Sequence, residues 1–111
     1  MRLESRKYLH DIDQALARLT RFVAGRTIDD YLADAMLRAA VERQFEIIGE
    51  AVGKLSRFDP QSAERIRGYR RLIAFRNVLI HGYAEVDDQL VWDLLQSHLP
   101  ALIADVKSLK G

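Results

Sequence analysis

Residues 69–83 limit the possible fold most strongly, and they read YRRLIAFRNVLIHGY. Their apolar side chains fall on more than one side of a helix, and a helix of that kind normally lies in the middle of a bundle. The same helix carries Arg76, Asn77 and His81, which are costly to bury unless they are paired or take part in chemistry. The segment therefore predicts a helical bundle with a polar site on one of its helices.

The remaining apolar residues also follow helical periodicity. They recur every three or four residues in the segments 8–23, 28–55 and 91–109, whereas no stretch alternates apolar and polar residues as a strand would. The sequence therefore predicts an all-α, up-and-down bundle of four to five helices, with residues 1–111 forming a single helical domain.

Several local signals predict where these helices begin and end. Ser5 is a candidate cap for the first helix, and the run Thr27-Ile-Asp-Asp30 resembles a capping box that opens a long second helix. Pro60 is placed to open a short helix, and Asp87 to cap the last long one. Pro100 should kink that last helix, with Ser97 or His98 near the break.

Composition narrows the class of protein further. The net charge is +1, so the chain as a whole lacks the basic excess typical of proteins that hold nucleic acid mainly through phosphates. No cysteine is present, which excludes disulfides and thiolate chemistry. The charged start of the chain and the lack of a long apolar run predict a cytoplasmic protein with no membrane partner, and no cofactor is expected.

Charge is nevertheless unevenly distributed. Residues 64–76 contain five arginines and one acid, which favours either a solvated face with ion pairs or a local anion-binding patch. An acidic row at four-residue spacing consists of Glu42, Glu46 and Glu50. It ends between Gly49 and Gly53, where a second backbone could come close. This row could face water, or it could face the arginines of the third long helix.

The end of that helix carries the residues best suited to chemistry. Asn77 and His81 are four residues apart and so share a face, and Arg76 lies beside that face. A guanidinium can hold two phosphate oxygens while an imidazole transfers a proton, which suits cleavage of RNA by its own 2′-hydroxyl without a metal. Because one histidine usually needs a second acid or base, we expect a two-fold dimer to complete the site.

The wider motif adds a family resemblance. The string Arg76-Asn-Val-Leu-Ile-His81-Gly-Tyr83, with Val86-Asp87 and Val91-Trp92 after it, resembles the HEPN superfamily and within it the HepT-like toxins. Further similarity covers most of the chain and includes Asp11 in the first helix, residues 48–51 in the second, and Leu99-Pro100 in the last.

This resemblance implies a dimeric, helical, metal-independent ribonuclease that acts as the toxin of a type VII toxin–antitoxin pair. Arg76 and His81 would be the catalytic residues, with Asn77 and Glu50 in supporting roles. The partner would be an MntA-like minimal nucleotidyltransferase of the MNT family, which transfers AMP to the tyrosine of the motif, here Tyr83. A covalent anion beside Arg76 would compete with the phosphate of the RNA.

Other interpretations of the same residues remain open. Arg76 and His81 could bind a nucleotide or cap the helix in a non-catalytic helical subunit of a nucleotidyltransferase. Alternatively, Asp87, Asp88 and His81 could hold a metal for phosphate-ester hydrolysis, although the two acids also suit a helix cap and its first turn.

Overall fold

The computed structural model describes residues 1–82 and 86–111, and within these ranges the chain forms seven helices and no strand. The predicted all-α fold is thus confirmed. The helices are α1 (Leu3–Val23), α2 (Ile28–Ala33), α3 (Ala35–Phe58), α4 (Pro60–Glu64), α5 (Tyr69–His81), α6 (Asp88–Ser97) and α7 (Leu99–Lys110).

Helix α3 is the centre of the bundle. It packs against both α1 and α5, while α7 lies against α1 and α6 contacts α2 and α7. The buried stripes of α1, α3 and α7 meet in one hydrophobic core, which includes Leu16, Ile48 and Val106. Burial of these apolar faces is what stabilises helices of this length in water.

The first helix begins differently from the prediction. Ser5 is not its cap: α1 starts at Leu3, and Arg2 in the capping position makes no side-chain cap hydrogen bond. The Ser5 hydroxyl is fully buried and donates to Oδ2 of Asp59 over 2.9 Å. Asp59 also accepts from Ser62, so Ser5 ties the start of α1 to the connection between α3 and α4.

The long second helix of the prediction is in fact two helices. The capping box is confirmed, since Thr27 and Asp30 exchange side-chain and backbone hydrogen bonds, but α2 ends after six residues. Asp34 has an extended backbone and accepts from the Leu37 amide, which ends one helix and caps the next. Arg38 donates to the carbonyls of Tyr31 and Leu32 at the end of α2, where the Tyr31 carbonyl also accepts from the Asp34 amide.

The predictions for the last part of the chain are confirmed where the structure describes it. Asp87 caps α6 by accepting from the Leu90 amide over 3.1 Å. The break near Pro100 is complete, because α6 ends at Ser97 and α7 begins at Leu99. Pro100 therefore lies in the first turn of a new helix, where its missing N–H has no helical partner to lose.

Helix α5 is not in the middle of the bundle, contrary to the prediction from its apolar sequence. Leu79 is its one buried residue, whereas Val78 and Ile80 remain 44% and 38% exposed. One side of α5 packs on α3, where the rings of Phe45 and Phe75 meet edge to face at 5.3 Å. A single chain thus leaves apolar surface of α5 uncovered.

The contact between α3 and α5 depends on Gly49. A Cβ at this position would lie 2.8 Å from the Leu72 carbonyl oxygen and closer still to Cβ of Arg76. Both are parts of α5 that cannot rotate away. One turn later, a Cβ at Gly53 would meet side-chain atoms of Ile73 and Arg57 at 3.9 and 3.7 Å, which is ordinary contact. The predicted close backbone approach is therefore confirmed at Gly49.

We predict that Gly49→Ala destabilises the protein, whereas Gly53→Ala does not. The first change forces α5 away from α3 and should lower the free energy of unfolding by about 1–3 kcal/mol. The second adds a good helix former where there is room, and should raise it by up to about 1 kcal/mol. Denaturant unfolding of both variants tests this pair. Equal effects would show that the approach at Gly49 is not restrictive.

Candidate functional site

The candidate site occupies the last two turns of α5. Arg76 and Asn77 lie one turn before His81, which is the final residue of the helix. Gly82 follows as the C-cap and donates its amide to the Val78 carbonyl over 2.7 Å. Its φ of −120° is one that any residue adopts, so the end of the helix does not require a glycine.

Packing holds the base of the Arg76 side chain, whereas its guanidinium makes few hydrogen bonds. Its Cβ packs over Gly49, and the side chain is half-buried between α5 and α3. Nη1 donates to Oδ1 of Asn77 over 3.3 Å. Nε is buried, and no hydrogen-bond acceptor for it lies among residues 1–82 and 86–111. A buried N–H without an acceptor is unfavourable, so Arg76 holds a donor that an anion could satisfy.

His81 and Asn77 are both exposed. They lie one turn apart on the same side of α5, as the spacing predicted. Within the described part of the chain, no hydrogen bond or ion pair engages the imidazole of His81. Its ring nitrogens are therefore available for hydrogen bonds with solvent or with a bound molecule.

Glu50 lies in a different environment. Its carboxylate forms an ion pair with Lys54 at 3.4 Å, and both side chains are about half exposed. The residues around them come from α1 and α3 and include Lys7, Tyr8 and Asp11. The structure gives Glu50 no contact with His81 among the residues it describes, so it does not bring these two predicted site residues together.

Tyr83, the remaining residue of the motif, lies outside the described residues. Gly82, which precedes it, is the C-cap of α5, and Asp87 is the N-cap of α6.

The acidic row of α3 does not pair with the arginines of α5 in the described part of the chain. Glu46 pairs with Arg43 on its own helix, at 3.3 Å. Glu42 is half-buried, and burial raises the pKa of its carboxyl group, with a further rise from Asp88 and Glu46 and an opposing effect of Arg38. Of this row, Glu46 therefore pairs within α3, and Glu42 lies near charged residues that include Asp88 at the start of α6.

The basic run divides into paired and unpaired arginines. Arg67 forms a bidentate ion pair with Asp105 of α7, at 2.9 Å for the shortest distance, and the side-chain hydrogen bond from Arg67 holds the pKa of Asp105 below its ordinary value. Arg65 donates to the hydroxyl of Ser108. By contrast, Arg70 and Arg71 are exposed and form no ion pair with any residue in 1–82 or 86–111.

Sequence reasoning missed two features near the site. Arg38 bridges the end of α2 to Asp88 at the start of α6, with 3.6 Å between Nε and the carboxylate. A cavity of about 630 Å³ opens between α5, α6 and α7, and its lining is mainly apolar, with Leu72, Phe75 and Leu102 among its residues. Periodicity places each of these residues on a helix face, but it does not show how far apart neighbouring helices lie.

The acids considered as metal ligands have other roles. Asp87 caps α6, and Asp88 pairs with Arg38. Among the residues that the structure describes, no three His, Asp or Glu side chains are grouped so that they could hold a metal ion. In the same residues, no helix has both the length and the apolar character needed to cross a membrane.

Comparison with known proteins shows the family of the chain. A family model described as Ribonuclease HepT-like matches residues 12–109, so the chain belongs to the HepT-like ribonuclease family. It is 30% identical to a protein named "Probable ribonuclease HepT" from Thermococcus cleftensis, over 99% of both chains. It is also 31% identical to a protein named "Putative RNase" from Caldanaerobacter subterraneus subsp. tengcongensis, over 94% of this chain and 92% of the relative. No solved structure matches the chain significantly.

Proposed function

We propose that the protein is an RNA endonuclease that works without a metal ion and uses Arg76 and His81 as its catalytic residues. The observation that carries the proposal is the buried, unpartnered Nε of Arg76 one turn from the exposed imidazole of His81. The two Cα atoms are about 7.5 Å apart along the helix axis and about 140° apart around it. The hydrogen bond from Nη1 of Arg76 to Asn77 turns the guanidinium toward the side that carries His81, where both side chains could contact one phosphate group. Membership of a ribonuclease family agrees with this reading.

The proposed reaction uses the RNA's own 2′-hydroxyl as nucleophile. A base removes the hydroxyl proton, the 2′-oxygen forms a bond to phosphorus, and the bond to the 5′-oxygen of the next nucleotide breaks as that oxygen takes a proton. The products are a 2′,3′-cyclic phosphate and a free 5′-hydroxyl. Arg76 stabilises the charge that builds on the phosphate oxygens, and His81 transfers one of the two protons.

The supporting residues differ in what their contacts favour. Asn77 accepts a hydrogen bond from Arg76, which favours a role in orienting the guanidinium. The pairing of Glu50 with Lys54 favours a role in the groove between α1 and α3 over a role at His81.

A two-fold dimer would supply the second acid or base. The uncovered apolar surface near the site favours this arrangement, since Val78 and Ile80 of α5 are exposed, and Leu90 of α6 is 52% exposed. An apolar patch beside a polar site is suitable for an isologous contact between two copies. Each copy would bring one Arg76 and one His81 to the shared cleft.

We further propose that the protein is the toxin of a toxin–antitoxin pair, acts in the cytoplasm, and is silenced by AMP transfer to Tyr83. The motif and the family support this proposal. The partner would be an MntA-like minimal nucleotidyltransferase. Tyr83 follows His81 by two positions, so a phosphate on its phenol would bring negative charge to the place where the RNA phosphate binds.

The first prediction concerns catalysis. We expect the purified protein to cleave RNA in EDTA, and His81→Ala to lower the rate by about 10²–10⁴-fold, because one of the proton transfers is lost. His10→Ala is the matched control, since His10 is an exposed histidine on α1 and should leave the rate unchanged. Cleavage products are resolved by gel electrophoresis, with terminal phosphates identified by mass spectrometry.

Activity that disappears with the chelator, or a His81→Ala variant as active as the parent, would contradict this prediction. RNA binding without cleavage would instead support the alternative, a non-catalytic nucleotide- or substrate-binding subunit of a nucleotidyltransferase.

The second prediction concerns the dimer. Val78→Lys should weaken self-association by at least about tenfold and lower RNA cleavage with it, since it places a charge in an apolar contact. Added positive charge alone would favour RNA, so lost activity can be assigned to the lost dimer. Leu32→Lys is the control, because Leu32 is equally exposed (45%) but lies on α2.

Light scattering and a cleavage assay at the same protein concentrations measure both effects. A monomeric parent protein, or a monomeric Val78→Lys variant that cleaves RNA normally, would exclude a site shared between two copies.

The third prediction concerns modification. After co-expression with an MntA-like minimal nucleotidyltransferase, intact-mass and peptide mass spectrometry should show AMP on Tyr83 and loss of RNA cleavage. Tyr83→Phe should carry no adduct and should stay active in the presence of the partner. Adducts on another residue, or silencing of the Tyr83→Phe variant, would reject Tyr83 as the point of control.

A further inference from the structure

The side of α5 that faces away from α3 carries a row of exposed residues. Arg70, Ala74, Asn77 and His81 follow one another at spacings of four, three and four, so they fall within about 60° of arc. All four are exposed, whereas Leu72 and the base of Arg76 face α3. The row thus runs from the candidate catalytic histidine toward the start of the helix.

Arg70 contributes little to the stability of its own helix. It lies in the first turn of α5, where the helix dipole favours acids and disfavours cations, and that turn contains no acid. Arg71 stands beside it with the same charge, and neither forms an ion pair within residues 1–82 and 86–111. Arg67, only three residues earlier, is held by Asp105. Arg70 is therefore better suited to binding an external anion than to stabilising α5.

The geometry of Arg70 leaves its hydrogen-bond donors free. The guanidinium carbon lies 5.2 Å from the centre of the Tyr69 ring. This contact with the ring uses none of the guanidinium N–H groups as donors to an oxygen, so they remain able to hold two phosphate oxygens.

The distance along α5 then fixes the length of RNA involved. Arg70 and His81 are eleven residues apart, or about 16 Å along the helix axis. Ala74, the small residue between them, leaves the surface clear. At the stacked rise of roughly 3.4 Å per nucleotide this separation corresponds to about five nucleotides, and to fewer in an extended strand.

We propose that Arg70 binds a backbone phosphate of the RNA several nucleotides from the bond that is cleaved, so that the substrate is a single-stranded segment lying along α5. This inference rests on the proposed ribonuclease function and adds a substrate-binding residue outside the Arg76 to Tyr83 motif. Contact with the backbone alone makes Arg70 indifferent to base identity. Single-stranded segments are the RNA whose backbone can follow one helix in this way.

The test compares Arg70→Gln with Arg71→Gln on a twelve-nucleotide RNA of uniform sequence and on a dinucleotide, whose only bridging phosphate is the one that is cleaved. Both variants remove one charge from the first turn of α5, but Arg71 lies about 100° away around the helix and lines the apolar cavity. For the longer RNA we expect Arg70→Gln to raise KM roughly three- to tenfold with kcat unchanged. For the shorter RNA, and for Arg71→Gln on both, we expect little change.

Salt dependence gives a second readout that does not require cleavage. In the His81→Ala background, fluorescence anisotropy with the twelve-nucleotide RNA should show the slope of log affinity against log salt falling by about 0.7 for Arg70→Gln, because one phosphate contact is lost. The slope should stay unchanged for Arg71→Gln.

Equal effects of the two variants, or an Arg70→Gln effect of the same size on both RNA lengths, would overturn the inference while leaving the ribonuclease intact. Failure of the parent protein to cleave either RNA would overturn the proposed function itself, and the role of Arg70 in it.

Discussion

The contact on which the site depends is the close approach of α5 to α3 at Gly49. Because this residue has no side chain, the Leu72 carbonyl and Cβ of Arg76 lie directly against α3. That approach anchors the base of Arg76 and leaves only its guanidinium to be placed by Asn77 and by whatever binds. It also turns the opposite side of α5, with His81, toward solvent. One missing methyl group thus fixes which side of α5 is structural and which is available for chemistry.

Helix α3 also positions the element that follows the site. Arg38, in its first turn, binds carbonyls at the end of α2 and pairs with Asp88 at the start of α6. The break at Asp34 makes this possible, because it places those carbonyls at the end of one helix and starts the next helix at the same point. The segment between α5 and α6 therefore connects two helices that are both held by α3, one through Gly49 and the other through Arg38. A substitution of Arg38 would therefore affect the site although, in the part of the chain that the structure describes, Arg38 forms no hydrogen bond or ion pair with Arg76 or His81.

Much of the fold could be predicted because its signals are local. The capping box at Thr27, the cap at Asp87 and the break near Pro100 each depend on residues within four positions, and each is confirmed. Ser5 was misjudged because its partner, Asp59, lies 54 residues away and is brought close only by the packing of α1 on α3. The second helix was predicted too long because periodicity continues through Asp34, whose capping role depends on its backbone conformation.

The site was predictable in part for the same reason. Helical spacing placed Asn77 and His81 on one side, since that relation is set within one helix, and the glycines of α3 indicated a close backbone. The environment of Glu50 could not be predicted in this way, because its neighbours on α1 are determined by how two helices cross. The exposure of α5 was also misjudged. Its apolar sequence indicates burial, but sequence does not distinguish burial by the same chain from burial by a second one.

This ambiguity bears on how the site works. The stability that α5 gains comes from the side that faces α3, through Leu79, Phe75 and the contact at Gly49. The side that carries His81 and Arg70 forms no ion pair within the described residues, so its residues can serve binding and catalysis at little cost to folding. The Nε of Arg76 differs from both groups of atoms. It is buried, unlike the side that carries His81, but it has no hydrogen-bond acceptor in the part of the chain that the structure describes. A rotation of the guanidinium that brings Nε to an arriving phosphate would satisfy that donor, and the favourable hydrogen bond gained would offset part of the cost of ordering Arg76.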